Sequence, residues 1–394
     1  MLKKTILITF ITSFINLTFT LAQDSLITTI AKNNVSDFSI TPNGFSGTGW
    51  NKIIARVNKS NNVLIGEDHF TNEIPFFVTK IASQIKFDNF FCEIDPFTAK
   101  LFQTKLKTLA TESLKKYVSA YSNTFSFYAF EPEFDLLKQL VKSDVKIYGT
   151  DQILLVADRL ICSELSQTTK NPRAKALYEL ISNQSKKHFE DFLKDQKNSF
   201  YMYTTEYERN IEELSKLKLS AQELKIINAL KLTAKIYKSG DHHLRIQLMK
   251  NQLMEVYNDW HNKKNLFKFG ANHVLKGQSL LEIYDIGNLV NNISDSQYKE
   301  SLHLMVIGKS GLQASPFKGF PSEKIDENTG MLKSLKPFFQ LVDGKTWKCF
   351  DLSPIKKAVD NGKVKITDTT LLRVINGFDL LVVIPEVTAS EFVK

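Results

Sequence analysis

The chain has 394 residues, 43% of them hydrophobic and 24% charged, and it carries a formal net charge of +9 at pH 7. A chain of this length can bury a large core in one domain or two, and its composition is ordinary for a globular protein. Lysines alternate with acidic residues and do not cluster with aromatic residues, which argues against nucleic-acid binding. Three cysteines are too few for a disulfide scaffold. Cys92 lies in an apolar run typical of a protein core, and one pairing, Cys162 with Cys349, stays open.

Residues 1–22 have the pattern of a secretory signal peptide. Lys3 and Lys4 precede a nearly uncharged apolar run over residues 5–20, and the small residue Ala22 follows at the expected cleavage site. The run of about 16 residues is shorter than the roughly 20 that a membrane-spanning helix needs. Cleavage takes the net charge from +9 to +7. We therefore expect an exported protein, periplasmic or secreted, with no stable membrane insertion after cleavage.

Short apolar runs bounded by turn residues predict six buried strands, at residues 63–65, 90–94, 145–148, 266–269, 302–307 and 380–384. They lack clean alternation, which is typical of strands covered on both faces. Helical patterns at residues 73–85 and 133–142 separate the first three strands. This β-α-β-α-β order predicts an α/β fold with an open, mainly parallel sheet flanked by helices.

Residues 154–262 differ in composition from the rest of the chain. They are rich in Lys, Glu and Leu and almost free of Gly and Pro. This composition predicts a large helical insertion. Ser220 and Glu223 fit a capping box that opens one of its helices. We expect the insertion to form a cap over the carboxyl edge of the sheet, where α/β proteins bind ligands. The predicted organisation is a first part of the α/β core at 23–153, the cap at 154–262 and a second part of the core at 263–394, with a long loop at 308–330.

Four predicted core strands end in ionisable residues. The first is followed by Glu67 and His69, which should project to the same side because residues i and i+2 do so in an extended segment. A carboxylate beside an imidazole can fix the tautomer of the ring and raise its basicity, as a general base acting on water requires, and the same pair can bind a metal. The other three endings are Glu93 with Asp95, Asp151, and His273.

The common position of these endings predicts one site at one edge of the sheet. Glu93 lies in an otherwise apolar segment, so it needs a partner for its charge. A histidine at a neighbouring strand end supplies one. The alternative is a set of exposed polar strand ends without function. The run Asp241-His242-His243 is interpreted as a polar helix start that could also line the cap.

Five segments, in their order along the chain, resemble the erythromycin esterase family, within the wider group that includes ChaN-like haem-binding proteins and TIKI/TraB-type proteins. The resemblance is carried by the following residues: Gly66-Glu67-Asp68-His69 with Glu73, Glu93, Tyr148-Gly149-Thr150-Asp151, Arg245 with Met249 and Asn251, and Gly270-Ala271-Asn272-His273-Val274. It runs over most of the chain after the signal peptide. No Gly-x-Ser-x-Gly motif occurs, which agrees with a mechanism that needs no serine nucleophile.

The resemblance implies a hydrolase that cleaves an ester or lactone bond of a small molecule with an activated water. It implies that His69 is the general base and that Glu67 and Glu93 position it. It further implies that His273 and Arg245 stabilise the oxyanion. Glu73 and Asp151 would bind the substrate.

One departure from the erythromycin esterase pattern leaves alternatives open. A single residue, Asp68, separates the glutamate from the histidine, where erythromycin esterases usually have two residues and ChaN-like and TIKI-like proteins have one. The TIKI-like comparison implies a metal-dependent peptidase in which His69, Glu93 and His273 bind a divalent metal and lower the pKa of a bound water. The ChaN-like comparison implies an exported protein that binds haem or iron. A third alternative is a scaffold that has lost catalysis.

Overall fold

The computed structural model describes residues 25–42 and 44–394. The predicted signal peptide at 1–22 lies outside the described residues. Along the described part of the chain, no helix is both long enough and apolar enough to cross a membrane.

The described residues form a mixed α/β structure. The strands are β1 (Val35–Thr41), β2 (Gly44–Ser46), β3 (Asn62–Glu67), β4 (Asn89–Cys92), β5 (Lys146–Gly149), β6 (Asn265–Gly270), β7 (Ser301–Gly308), β8 (Leu312–Gln313), β9 (Glu323–Lys324), β10 (Trp347–Asp351) and β11 (Leu380–Ile384). Helix α1 covers residues 25–33 of the described chain. The other α-helices are α2 (Thr48–Lys59), α3 (Glu73–Gln84), α4 (Pro96–Thr108), α5 (Thr111–Ala120), α6 (Glu131–Lys142), α7 (Asp158–Thr168), α8 (Pro172–Lys194), α9 (Thr205–Ser215), α10 (Ala221–Ser239), α11 (His242–Glu255), α12 (Tyr257–Trp260), α13 (Ile286–Ser296), α14 (Gly330–Ser334), α15 (Lys336–Phe339), α16 (Ser353–Asp360) and α17 (Thr369–Gly377).

Nine of the described strands belong to one mainly parallel sheet, and β8 and β9 pair separately. The chain divides into two compact units. The first contains the described residues up to Asp68, together with Phe269–Leu312 and Lys324–Thr388. The second contains His69–Lys268, Gln313–Glu323 and Ala389–Lys394.

In the first unit the strand order is β2-β1-β10-β11-β7-β3. Strands β11, β7 and β3 run parallel, with Val382 opposite Val306 and Ile65 opposite Leu304. Every residue of these three strands is buried, which explains why their sequences do not alternate. Strand β10 pairs antiparallel with β1 and β11.

In the second unit the strand order is β6-β4-β5, and all neighbours are parallel. The register places Phe91 opposite Phe267 on one side and Tyr148 on the other. Their rings stack with centroids 4.6 and 5.0 Å apart. This aromatic row across three strands fixes the register, because a shift by one residue would move each ring to the other face. The carboxyl ends of β4 and β5 therefore meet at one edge.

The segment between β5 and β6 is entirely helical in its regular structure, from α7 to α12. Its helices enclose a common core that includes Tyr178, Met202, Ile227 and Leu230. Helix α10 begins with the predicted capping box, in which Ser220 and Glu223 each bond the backbone N–H of the other. The predicted fold class, with its helical insertion, is confirmed.

Strands β1, β2 and β10 are absent from the sequence prediction. Only Phe38 of the seven residues of β1 is buried, so the strand lacks the apolar run by which buried strands are recognised in sequence. The predicted loop at 308–330 contains the last residue of β7, the two-residue strands β8 and β9 and the first residue of α14. The predicted domain boundaries stay a prediction.

Candidate active site

Three residues from distant parts of the second unit converge at the carboxyl end of β4. Glu93 directly follows β4, Arg245 lies in the first turns of α11, and His69 comes before α3. Glu93 Oε1 accepts a 2.9 Å hydrogen bond from Arg245 Nη2, and Glu93 Oε2 lies 3.5 Å from His69 Nε2. The Glu93 side chain is only 8% exposed. Each oxygen of this buried carboxylate therefore has a polar partner, as a buried charge requires.

Arg245 joins Glu93 to a second acid, Asp151. Its Nε donates to Asp151 Oδ1 at 2.9 Å and its Nη2 donates to Asp151 Oδ2 at 2.5 Å. The guanidinium and this carboxylate thus form a bidentate pair. Burial alone would lower the pKa of Arg245, but the charges of Asp151 and Glu93 raise that pKa well above its ordinary value. Arg245 is thus permanently cationic and holds both acids in place.

The ring of His69 stacks on Phe127, a residue that sequence reasoning missed. The ring centroids are 4.1 Å apart and the planes are inclined by 21°. Phe127 lies in the 3-10 helix Ser126–Ala129, and nothing in the local sequence distinguishes it from other core phenylalanines. The stack and the contact with Glu93 together orient the imidazole. The His69 side chain remains 22% exposed and therefore accessible to water.

A cavity of about 350 Å³ opens beside this group, within the second unit. One side is formed by the residues that follow β4 and β5, which include Glu93, Asp95 and Asp151. The other side is formed by the helical insertion, through the end of α10 and the start of α11. The lining residues from the insertion include Ile236, Tyr237, Gly240, Asp241, His242 and Arg245. Helices α10 and α11 thus contribute to the same cavity as the residues that follow β4 and β5.

Asp95 and Asp241 each cap a helix that borders the cavity. Asp95 Oδ1 accepts from the backbone N–H groups of Phe97 and Thr98, at 3.0 and 2.8 Å. Burial raises the pKa of Asp95 to about 6, although these hydrogen bonds oppose the shift. Asp241 Oδ1 accepts from Leu244 N at 2.9 Å. The interpretation of Asp241-His242-His243 as a polar helix start is confirmed, and Asp241 and His242 also line the cavity.

His273 belongs to the first unit, where it ends the 3-10 helix Ala271–His273 after β6. Its Nδ1 lies 2.8 Å from Asp285 Oδ2, and both side chains are buried. Asp285 was not among the residues predicted for the site. Asp285 Oδ1 also accepts from Ile286 N and so caps α13. A carboxylate bound to one ring nitrogen fixes the tautomer of the imidazole.

The remaining candidates lie at element ends. Glu67 is the last residue of β3 and is buried. Glu73 lies in the first turn of α3 and is partly exposed. The structure therefore brings together His69, Glu93, Asp151 and Arg245 within the second unit. It describes Glu67 and His273 within the first.

The residues of the site do not fit a metal ion. In residues 25–42 and 44–394, no group of three His, Cys, Asp or Glu side chains has an arrangement that could hold one. Arg245 already neutralises Glu93, the residue that the metal alternative requires as a ligand. A guanidinium at 2.9 Å competes with any cation for that carboxylate. We therefore assign no step of the chemistry to a metal.

All three cysteines are free and buried. Burial raises the pKa of Cys92 and of Cys349 to about 12 and that of Cys162 well above its ordinary value. A thiol held neutral in this way is a poor nucleophile. The open pairing of Cys162 with Cys349 is not formed, and Cys92 is the core residue that was expected.

The fold was compared with solved structures. A variant of the erythromycin esterase EreC in its open conformation, with one histidine replaced by asparagine, aligns at a TM-score of 0.60 and 12% identity, covering 91% of this chain and 99% of that one. A protein from Bacillus cereus aligns at 0.56 and 14%, covering 94% and 99%. A succinoglycan biosynthesis protein aligns at 0.57 and 12%, covering 95% and 99%. At these identities the likeness shows the fold, and it confirms the resemblance to erythromycin esterases at that level.

ChaN of Campylobacter jejuni, solved with cofacially bound haem, aligns at a TM-score of only 0.32 and carries no argument about this chain. No protein-family model matches the chain, and no curated protein matches it.

Proposed function

We propose that this chain is an exported hydrolase of the erythromycin esterase type, which cleaves an ester or lactone bond of a small molecule with a water activated by His69. The observation that carries the proposal is the connected group His69–Glu93–Arg245–Asp151, of which Glu93, Arg245 and Asp151 line one cavity. An imidazole held by a buried carboxylate is the arrangement that general base catalysis needs. The erythromycin esterase fold makes this reaction class the one to test first.

His69 takes the proton of the attacking water in this mechanism. The water oxygen forms a bond to the carbonyl carbon, the proton passes to a ring nitrogen of His69, and the carbonyl oxygen becomes an oxyanion. The Glu93 carboxylate stabilises the imidazolium that results. Collapse of the tetrahedral intermediate breaks the bond to the alkoxy oxygen, which receives the proton from His69. The separation of 3.5 Å between Nε2 and Oε2 shortens when the imidazole becomes charged.

Arg245 has two tasks in the proposed mechanism. Its Nε and Nη2 hold Asp151 and Glu93, so that Glu93 keeps a fixed position beside His69. Its positive charge, which lies at the wall of the cavity, also stabilises negative charge that develops on the substrate. Asp151 is therefore proposed to act through Arg245, and Asp151 also lines the cavity where the substrate binds.

Glu67, Glu73 and His273 are proposed as further members of the site. The buried pair of His273 and Asp285 can polarise a substrate carbonyl or move a proton, because the carboxylate fixes which ring nitrogen carries hydrogen. Glu67 is proposed to help position His69, from which one residue separates it in sequence. Glu73 is proposed to bind substrate.

The cavity restricts the substrate class. A space of about 350 Å³ admits a small organic molecule, and its wall combines carboxylates with apolar and aromatic side chains. We propose that a small ester or lactone binds there and that the protein acts after export to the periplasm or the medium. Recovery of a mature protein that begins near Gln23 from these fractions supports export, whereas a cytoplasmic protein that retains Met1 contradicts it.

The direct test of the proposed function is the replacement of His69 by alanine. The purified protein is assayed on a panel of small esters and lactones, and kcat/KM is compared between the wild type and His69→Ala. We expect a fall of about 10³-fold, since a general base contributes roughly that much.

The matched control is His243→Ala. His243 is an exposed histidine of α11 outside the residues that line the cavity, so kcat/KM should not change. Circular dichroism establishes that both variants fold. Hydrolysis by His69→Ala at the wild-type rate would contradict the mechanism, and absence of hydrolysis by the wild type on the whole panel would contradict the substrate class.

A further inference from the structure

The peptide that carries His69 has a strained backbone. Phe70 adopts a φ of 64°, in the left-handed region that bulky residues rarely occupy. Ser126 has a φ of 50° and directly precedes Phe127, on which His69 stacks. Both partners of the stack therefore adjoin a residue in an unfavourable conformation. Such strain persists only where the surrounding structure imposes it, and it is common at functional sites.

Two segments far along the chain hold this peptide in place. Gln313 Nε2 donates to the carbonyl oxygen of His69 at 2.8 Å. The carbonyl oxygen of Phe70 accepts two backbone hydrogen bonds, from Ala314 N at 3.1 Å and Ser390 N at 3.0 Å. We call these three donors, Gln313, Ala314 and Ser390, the His69 clamp. They belong to segments 313–323 and 389–394, which lie within the same compact unit as His69.

The same two segments also support the partner of the stack. The backbone N–H of Lys318 donates to Asn123 Oδ1 at 2.9 Å, in the loop that leads to Phe127. Phe392 packs against Phe130 with ring centroids 4.1 Å apart and planes inclined by 31°, and the rings of Phe130 and Phe70 have centroids 5.2 Å apart. The two segments therefore hold both rings of the stack. They hold the His69 ring through the backbone of residues 69–70, and they hold the Phe127 ring through residues 123–130.

We infer that Gln313 is a positioning residue, which sets the orientation of the His69 imidazole relative to Glu93 by fixing the carbonyl group of His69. The inference rests on the proposed function for its kinetic consequence. Its structural consequence, the geometry of the His69–Phe127 stack, stands by itself. Gln313 is suited to this task because it is the one member of the His69 clamp that acts through its side chain. Its loss frees the peptide on one side, while the two bonds to Phe70 remain and preserve the fold.

The test is the substitution Gln313→Met, which keeps the length of the side chain and removes the N–H donor. A second variant, Gln313→Glu, keeps the shape and places a carboxylate against the carbonyl oxygen. Gln340→Met is the matched control, because Gln340 is exposed and its amide donates to Thr28 at the surface of the first unit. Thermal unfolding is measured for all three variants.

Two readouts separate a positioning role from a structural one. In kinetics, Gln313→Met should lower kcat about tenfold with KM unchanged, since a misplaced base slows chemistry without weakening binding. In proton NMR, the ring signals of His69, assigned by their loss in His69→Ala, should move downfield as the ring leaves the shielding zone of Phe127. The control variant should change neither.

The inference is overturned if Gln313→Met and Gln313→Glu fold and both keep the wild-type His69 ring signals. It is also overturned if the unfolding temperature falls while kcat and the ring signals stay unchanged. If the wild type hydrolyses no substrate, the proposed function fails, and the NMR readout alone decides on the role of Gln313.

Discussion

Burial explains why the charged residues around Glu93 are paired with one another. Glu93 and Asp151 are both less than a tenth exposed, and one arginine, 152 and 94 positions away in sequence, forms ion pairs with both. A buried carboxylate whose partner is removed destabilises a protein strongly, so we expect substitution of Arg245 alone to destabilise the protein. The resulting rigidity serves His69, because Glu93 is held from one side by Arg245 and contacts the imidazole from the other.

Asp158, at the start of α7, makes stability depend on pH. It is fully buried, and burial raises its pKa from 3.8 to about 7, although Ser185 donates a 2.6 Å hydrogen bond to its carboxylate. Between pH 3.8 and about pH 7, the folded protein therefore binds a proton on Asp158 more tightly than the unfolded chain does. The stabilisation is therefore complete below pH 3.8 and is lost as the pH rises to about 7.

The substitution Asp158→Asn tests this behaviour. Asn cannot ionise and still accepts from Ser185, so the variant should be more stable than the wild type at pH 8 by an amount on the order of 2–4 kcal/mol. The free energy of unfolding is measured by denaturant titration at pH 5 and pH 8. Asp191→Asn, at a partly exposed position of α8 in the same insertion, is the control and should show no such difference. An equal pH dependence in Asp158→Asn and the wild type would contradict the account.

The sequence identified individual residues as candidates for the site, but it did not predict which of them contact one another. Glu93, Asp151, His69 and Arg245 were candidates because each stands at the end of a strand or in a motif. Their pairing was not predictable, since it depends on how α11 packs over β4 and β5. Asp285 had a local signal, because it precedes an apolar helical run as an N-cap residue does. That signal predicts a cap and says nothing about a bond to His273.

At the scale of elements, the glycine in β3 allows a close approach within the first unit. A Cβ at Gly66 would lie 2.7 Å from Val274 Cγ2 and 2.9 Å from Ala271 Cα. These atoms belong to the segment that carries His273. The Gly66 of the Gly66-Glu67-Asp68-His69 motif is therefore required by packing, because any side chain displaces the 3-10 helix Ala271–His273.

Gly66→Ala should destabilise the protein by about 1–3 kcal/mol, since overpacking a rigid core forces backbone shifts. The comparison variant is Gly277→Ala, where an added Cβ meets no atom of the described chain within 4 Å. Denaturant unfolding of the two variants gives the difference directly. If Gly66→Ala is as stable as Gly277→Ala, the close approach of β3 to residues 271–274 does not constrain the fold as proposed.

The elements that the sequence predicted well are those with a single dominant signal. All six predicted strands occur, because each has a mainly apolar run bounded by turn residues. The helix after Ser220 occurs because its capping box is a local interaction. Strand β10 was missed because its polar residues, Lys348 and Asp351, interrupt the apolar run. Pairing with β1 and β11 through the backbone stabilises it, and that pairing has no signature in the sequence.

At the scale of the whole molecule, the proposed catalytic group and the residues that support it come from the beginning, the middle and the end of the chain. Residues 313–323 and 389–394 belong to the same compact unit as His69 although more than 240 positions separate Gln313 from it. The motifs along the chain therefore predicted a site at the strand ends. They could not predict which distant segments hold His69 in place. The helical insertion, by contrast, was predictable as a block because its composition is uniform over a hundred residues.

The central claim is that His69 and Glu93 act as one catalytic unit. Its most direct test is a double-mutant cycle on kcat/KM with His69→Ala, Glu93→Gln and the double variant, on a substrate that the wild type hydrolyses. Residues that act as a unit give strongly non-additive losses, so each single variant should lose about 10²–10³-fold and the double variant no more than the worse single one. Losses that multiply in the double variant would show that the two residues act independently and would contradict the account.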